Sequence, residues 1–167
     1  MIANASVRNA LMRLPADVKQ RLAELPHHVH ALQSLVEQID EDRFAQTAAH
    51  PDATALLTVV YPLERAVEVV DRYVCDLAAS AIRCGGLMVE RPDENLRRLP
   101  MIGVTSRRRA EFLLSVHHAR ERLERPPDAA ARRNLARAAA VLAREAMPFL
   151  GDCTAWLLAH EPDPDGA

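Results

Sequence analysis

The chain has 167 residues and a formal net charge of −2, and its composition is 49% hydrophobic but only 4% aromatic. That length allows one core of ordinary size, and a core built from Ala, Leu and Val favours packed helices over a β-sheet. No apolar stretch reaches the roughly 18 residues that cross a bilayer, and the N-terminus lacks the segments of a signal peptide. We therefore expect a cytoplasmic protein that does not contact a membrane, with one helical domain over residues 1–160 and a disordered tail over 161–167.

The first half of the chain is divided into helix-length segments by its prolines. We expect helices over residues 16–24 and 27–39, separated at Pro26, and a short helix over 42–49. A long helix starts near residue 52, because apolar residues recur there in alternating steps of four and three for more than seven turns. This apolar seam consists of Leu56, Val60, Leu63, Val67, Val70, Val74, Leu77 and Ala81. It is either part of an internal core or a dimer interface.

The second half of the chain continues the helical pattern. Gly85 and Gly86 end the long helix in the manner of a C-cap. We expect a short helix over residues 93–99, a long helix from Thr105 to the Pro126–Pro127 pair, and a last long helix after that pair. Together these elements predict an all-α fold, an up-and-down helical bundle of four or five main helices.

Arginine is concentrated in one block of the sequence. Residues 97–144 carry twelve Arg and four acidic residues, a net charge of +8, whereas residues 1–96 and 145–167 each carry −5. Such a block either forms an anion-attracting face or pairs with acidic residues of this chain or of a partner. On charge alone, pairing is the favoured alternative.

The order of the helices and the segment Tyr61–Ala78 resemble the HEPN superfamily, and the branch of HepT-like toxins is the most similar. The connector Leu96–Ser106 supports this likeness, because it reads as a short helix, a turn and a polar start to the next helix. The resemblance covers residues 17–158. It implies a HEPN-like homodimer that cuts RNA without a metal, and a nucleotidyltransferase-type antitoxin as its partner.

The Arg-x4-6-His motif of that family is degenerate in this chain. Arg120 matches the arginine, Glu121 replaces the usual Asn, and Arg125 occupies the histidine position. Pro127 lies where HepT-like toxins carry the tyrosine that their antitoxins modify. Cleavage at a 2′-hydroxyl needs a group that titrates near neutral pH, which Arg does not. We therefore expect an impaired ribonuclease site in an RNA-associated, toxin–antitoxin-type module.

Two residues are candidate partners of Arg120 in any surviving catalytic site. In active HEPN proteins an acidic residue of the long helix approaches the motif arginine, so the resemblance implies that Asp71 lies near Arg120. His117 precedes Arg120 by three residues on one helix and is a candidate relocated catalytic group; the plainer interpretation is a solvated surface histidine. The candidate RNA-binding residues are Arg107, Arg108, Arg109, Arg120, Arg122 and Arg125.

We expect no metal site and no cofactor. The three cysteines have a wide, irregular spacing that fits neither a disulfide framework nor a zinc site, so we interpret them as buried free thiols. They are Cys75, Cys84 and Cys153. The histidines of segment 27–30 have no nearby cysteine to complete a ligand set. The alternative function is a non-enzymatic helical protein for dimerisation or scaffolding, with no role in RNA binding.

Overall fold

The computed structural model of the protein describes residues 12–39, 52–122 and 129–160. Over these ranges the chain forms helices and no strand, which confirms the all-α helical bundle. The helices are α1 (Ala16–Gln38), α2 (Tyr61–Cys84), α3 (Pro92–Arg98), α4 (Arg107–Glu121) and α5 (Ala129–Ala159). A short turn, Ala53–Ala55, and a π-helical segment, Leu56–Val60, lead directly into α2.

The bundle is organised around α5 and α2. Helix α5 packs against α1, α2 and α4, while the short α3 lies between α2 and α4. The interior is aliphatic, as the composition predicts, with Leu25, Leu77, Leu142 and Phe149 fully buried. Complete burial of one such side chain contributes about 1.5–3 kcal/mol. None of the described helices combines the length and the apolarity that crossing a bilayer requires.

The apolar seam of α2 lies inside the bundle. From Val60 to Ala81 its members are at most 1% exposed. The seam is therefore core, which decides between the two alternatives that its sequence left open. Pro62 occupies the first turn of α2, where no backbone N–H is needed, and the π-helical segment comes just before it. The helix ends as predicted, since the Gly85 N–H bonds to the Ala81 carbonyl and Gly86 has φ +71°.

The predicted break at Pro26 is wrong, because α1 runs without interruption through that residue. A proline inside a helix removes one backbone hydrogen bond, but Leu25 and Val29 on either side are both fully buried. Packing against α2 and α5 therefore outweighs the local penalty. The expected helix over 42–49, the Pro126–Pro127 pair and the tail over 161–167 lie outside the described residues.

Candidate functional site

Helices α2 and α4 bring three polar side chains together in an otherwise apolar interior. Asp71 and His117 are each only 2% exposed. The imidazole Nδ1 lies 2.9 Å from Asp71 Oδ2, and Arg120 Nε donates to the same oxygen at 2.7 Å. One buried carboxylate thus holds an imidazole and a guanidinium from successive turns of α4. The contact between Asp71 and Arg120 is the one that the HEPN resemblance implies.

Cys75 is the fourth member of this group, which we call the Asp71 cluster. Its Sγ lies 3.8 Å from Asp71 Oδ1 and 3.6 Å from His117 Nδ1. Cys75 follows Asp71 by four residues, so both side chains leave the same face of α2. His117 and Arg120 are three residues apart on the facing helix. The sequence did not point to Cys75, although its spacing from Asp71 was a usable signal.

Charge pairing and burial act in opposite directions on the imidazole. The hydrogen bond to Asp71 raises the pKa of His117 above its ordinary value, against the opposing effect of burial. The negative charges of Asp71 and Glu121 raise it further, and the charge of Arg120 lowers it. Burial, followed by the charge of Asp71, raises the pKa of the Cys75 thiol. The cluster therefore favours an imidazolium beside a carboxylate, with Cys75 as a neutral thiol.

The second imidazole nitrogen does not reach the surface. Nε2 of His117 is buried and has no hydrogen-bond partner among the described residues, and Glu121 Oε1 is 3.5 Å away. The interpretation of His117 as a solvated surface residue is therefore wrong. A general base must come within hydrogen-bond reach of the proton that it removes. In this conformation neither imidazole nitrogen is open to a nucleotide hydroxyl, and the catalytic role of His117 stays a prediction.

Much of the arginine block pairs with carboxylates of the same chain. Arg109 contacts Asp152 and also lies 3.3 Å from Glu145, and these contacts tie α4 to α5. Arg107 Nε lies 2.9 Å from Glu111 on the next turn of α4. In and beside α3, Arg97 pairs with Glu94 and Arg98 with Glu90, each at 2.6 Å. The arginines at these positions therefore pair with carboxylates of the same chain, which is the alternative that the charge distribution favours.

Within the described part of the arginine block, residues 97–144, three exposed arginines have no carboxylate partner, and we call them the open arginines. They are Arg108 and Arg122 at the two ends of α4, and Arg133 near the start of α5. The Arg108 guanidinium lies over the Phe112 ring, 5.4 Å from its centroid. Arg125 lies outside the described residues. The predicted RNA-binding set thus divides into arginines engaged within the chain and arginines that face solvent.

Comparison of the chain with protein-family models, with curated proteins and with solved structures found no significant match. The features that indicate a function are therefore the Asp71 cluster and the open arginines.

Proposed function

We propose that the chain is a HEPN-like, HepT-like helical module of the toxin–antitoxin type that binds RNA and lacks the ordinary metal-independent ribonuclease chemistry. The observation that carries this proposal is the 2.7 Å contact between Arg120 Nε and Asp71 Oδ2. It joins the candidate motif arginine to an acidic residue of the long helix, at a separation of 49 residues in sequence. The resemblance implies this pairing independently of how the helices pack.

The open arginines supply the RNA-binding surface of the proposal. Arg108 and Arg122 are 14 residues apart, close to four helical turns, so they lie near the same side of α4 and about 21 Å apart along its axis. Guanidinium groups bind phosphate oxygens in a bidentate manner. Because no described carboxylate neutralises these two groups or Arg133, they remain available to a phosphate backbone.

The Asp71 cluster, as far as the structure describes it, contains no imidazole that is open to solvent. Arg125 stands at the position where the family motif has its histidine, and an arginine does not exchange its proton near neutral pH. The imidazole that shares the Asp71 carboxylate with Arg120 is that of His117, which is 2% exposed. We therefore expect RNA to be bound without being cut.

Retention of total cellular RNA on the purified protein tests the binding half of the proposal. We expect the wild type to retain RNA, and a variant in which Gln replaces all three open arginines to lose most of that affinity. The control replaces three exposed arginines outside the basic block, Arg65, Arg83 and Arg91, and should bind like the wild type. Equal binding by the two triple variants would contradict the assigned surface.

Incubation of the same RNA in the presence of chelator tests the catalytic half. We expect the RNA to stay intact with the wild type and with Arg120→Ala. Chelator-resistant cleavage that Arg120→Ala abolishes would show that the motif acts despite Arg125, and would overturn the assignment as a pseudo-ribonuclease.

The alternative function, a helical interaction protein without an RNA role, is favoured by two exposed apolar side chains. Met88 and Met101 are 77% and 82% exposed and lie in the connectors on either side of α3. Exposed apolar groups of this kind mark protein interfaces when they form a continuous patch. Absence of RNA retention, together with concentration-dependent association that Met88→Ser and Met101→Ser reduce, would favour this alternative over the RNA module.

A further inference from the structure

The Asp71 cluster contains three side chains whose donor atoms converge from two helices. A carboxylate oxygen of Asp71, Sγ of Cys75 and Nδ1 of His117 all lie within 4.8 Å of one another. We propose that these three residues form a binding site for a thiophilic divalent cation, for which Zn²⁺ is the best match. This site is separate from the proposed RNA surface and does not depend on it.

The separations of the donor atoms suit a small tetrahedral shell. With Zn–S bonds of about 2.3 Å and Zn–N or Zn–O bonds of about 2.0–2.2 Å, ligand atoms lie roughly 3.3–3.8 Å apart. Cys75 Sγ lies 3.6 Å from His117 Nδ1, a separation that already suits a shared cation. One oxygen of Asp71 lies within 4.8 Å of both atoms, so a cation at their centre requires these side chains to draw together by about 1 Å at most. Three protein ligands leave the fourth position for water.

The unpartnered nitrogen of His117 is a second, independent observation. A histidine that binds a metal through one ring nitrogen carries its proton on the other and donates it to a carboxylate or carbonyl. Nε2 is buried without a hydrogen-bond partner in the described structure, and the nearest carboxylate oxygen is Glu121 Oε1 at 3.5 Å. Metal binding at Nδ1 fixes the proton on Nε2 and directs it toward Glu121. His117 thus offers Nδ1 as the ligand atom, and Glu121 is the group that orients the ring.

The charges of the cluster fit a divalent ion. On binding, the Cys75 thiol and His117 Nδ1 release their protons to solvent. The Asp71 carboxylate and the Cys75 thiolate then balance the two charges of the ion, while the charge of Arg120, which is 23% exposed, stays at the edge of the site. Asp71 has two oxygens, of which Oδ2 accepts the Arg120 hydrogen bond and Oδ1 faces the sulfur. A set of one sulfur, one nitrogen and one oxygen selects Zn²⁺ over Mg²⁺ or Ca²⁺, which prefer all-oxygen shells. The ion would cross-link α2 to α4.

Titration of the metal-stripped full-length protein with Co²⁺ tests this site, because a cobalt–thiolate bond gives a charge-transfer absorption that oxygen ligands do not. We expect one equivalent of Co²⁺ to produce that absorption, and one equivalent of Zn²⁺ to displace it and to raise the melting temperature. Cys75→Ala should abolish the absorption and the thermal shift. Cys84→Ala removes a half-buried thiol at the end of the same helix and should retain both.

Arg120→Gln provides a further variant that leaves all three ligands in place, and it should still bind one equivalent of Co²⁺. The proposal is overturned if the wild type shows no thiolate absorption, or if Cys75→Ala and Cys84→Ala behave alike. When the RNA-retention and cleavage assays are both run with chelator, failure of the metal site leaves the RNA result unchanged. Failure of RNA binding likewise leaves the Co²⁺ titration unchanged, because that titration contains no RNA.

Discussion

Replacement of Asp71 by Asn probes the buried charge network with almost no change in side-chain shape. The amide would keep the volume of the carboxylate but remove the negative charge that faces both His117 and Arg120. Loss of one partner from a buried ion pair costs about 3–5 kcal/mol. Arg120 is 23% exposed and can turn toward water, and the imidazole can release its proton, so we take the lower limit of about 3 kcal/mol.

Chemical unfolding in the presence of chelator measures this loss without any contribution from a bound cation. In a thermal scan of a domain of this size, the same loss of about 3 kcal/mol in the free energy of unfolding should lower the melting temperature by roughly 6–12 °C. The matched control is Asp76→Asn, five residues further along α2, whose carboxylate is 44% exposed and lies 3.1 Å from Arg21 Nε. We expect this exposed pair to contribute less than about 1 kcal/mol. A free energy of unfolding for Asp71→Asn within about 0.5 kcal/mol of the control would refute the network.

Other predictions concern single positions of the fold. Val70→Asp places a carboxylate at a fully buried position and should cost more than about 4 kcal/mol, so circular dichroism should show an unfolded chain; Val69→Asp, at the half-buried neighbour, should stay folded. Gly86→Ala should lose about 1 kcal/mol in chemical unfolding because Gly86 has φ +71°. Gly151→Ala, in a helix with open space for a Cβ, should gain about 1 kcal/mol in the same measurement. Ser106→Ala removes the side-chain cap of α4 and should lower the midpoint of urea unfolding by an amount equivalent to about 1 kcal/mol.

Periodicity predicted the parts of the fold that depend on one helix. The seam of α2 repeats for many turns, so its helical period and its end at Gly85 follow from the sequence and are confirmed, whereas its place in the core comes from the structure. Pro26 misled the prediction because the stability of α1 comes from packing against distant helices, which a local pattern does not contain. The prediction of buried free thiols is confirmed for Cys75 and Cys153, whereas Cys84 is free but only half-buried.

The candidate site was less predictable, because its members come from two helices. Resemblance alone supplied the approach of Asp71 to Arg120. His117 follows the buried Leu113 by four residues, a spacing that already placed it on the apolar side of α4, but the arginines around it favoured a solvated interpretation. The proximity of Cys75 to His117 depends on how α2 and α4 dock across 42 residues of chain. No spacing within either helix contains that information.

The dependence of RNA affinity on salt is the sharpest test of RNA binding by the open arginines. Each phosphate that an arginine binds adds a fixed increment to the slope of log affinity against log salt concentration. For a single strand the increment is about 0.7 per phosphate, so loss of the three open arginines should reduce the slope by about 2. We expect the wild type and the control variant at Arg65, Arg83 and Arg91 to share the steeper slope. Equal slopes for all three proteins, or wild-type binding that salt does not weaken, would contradict an RNA-binding module built on the open arginines.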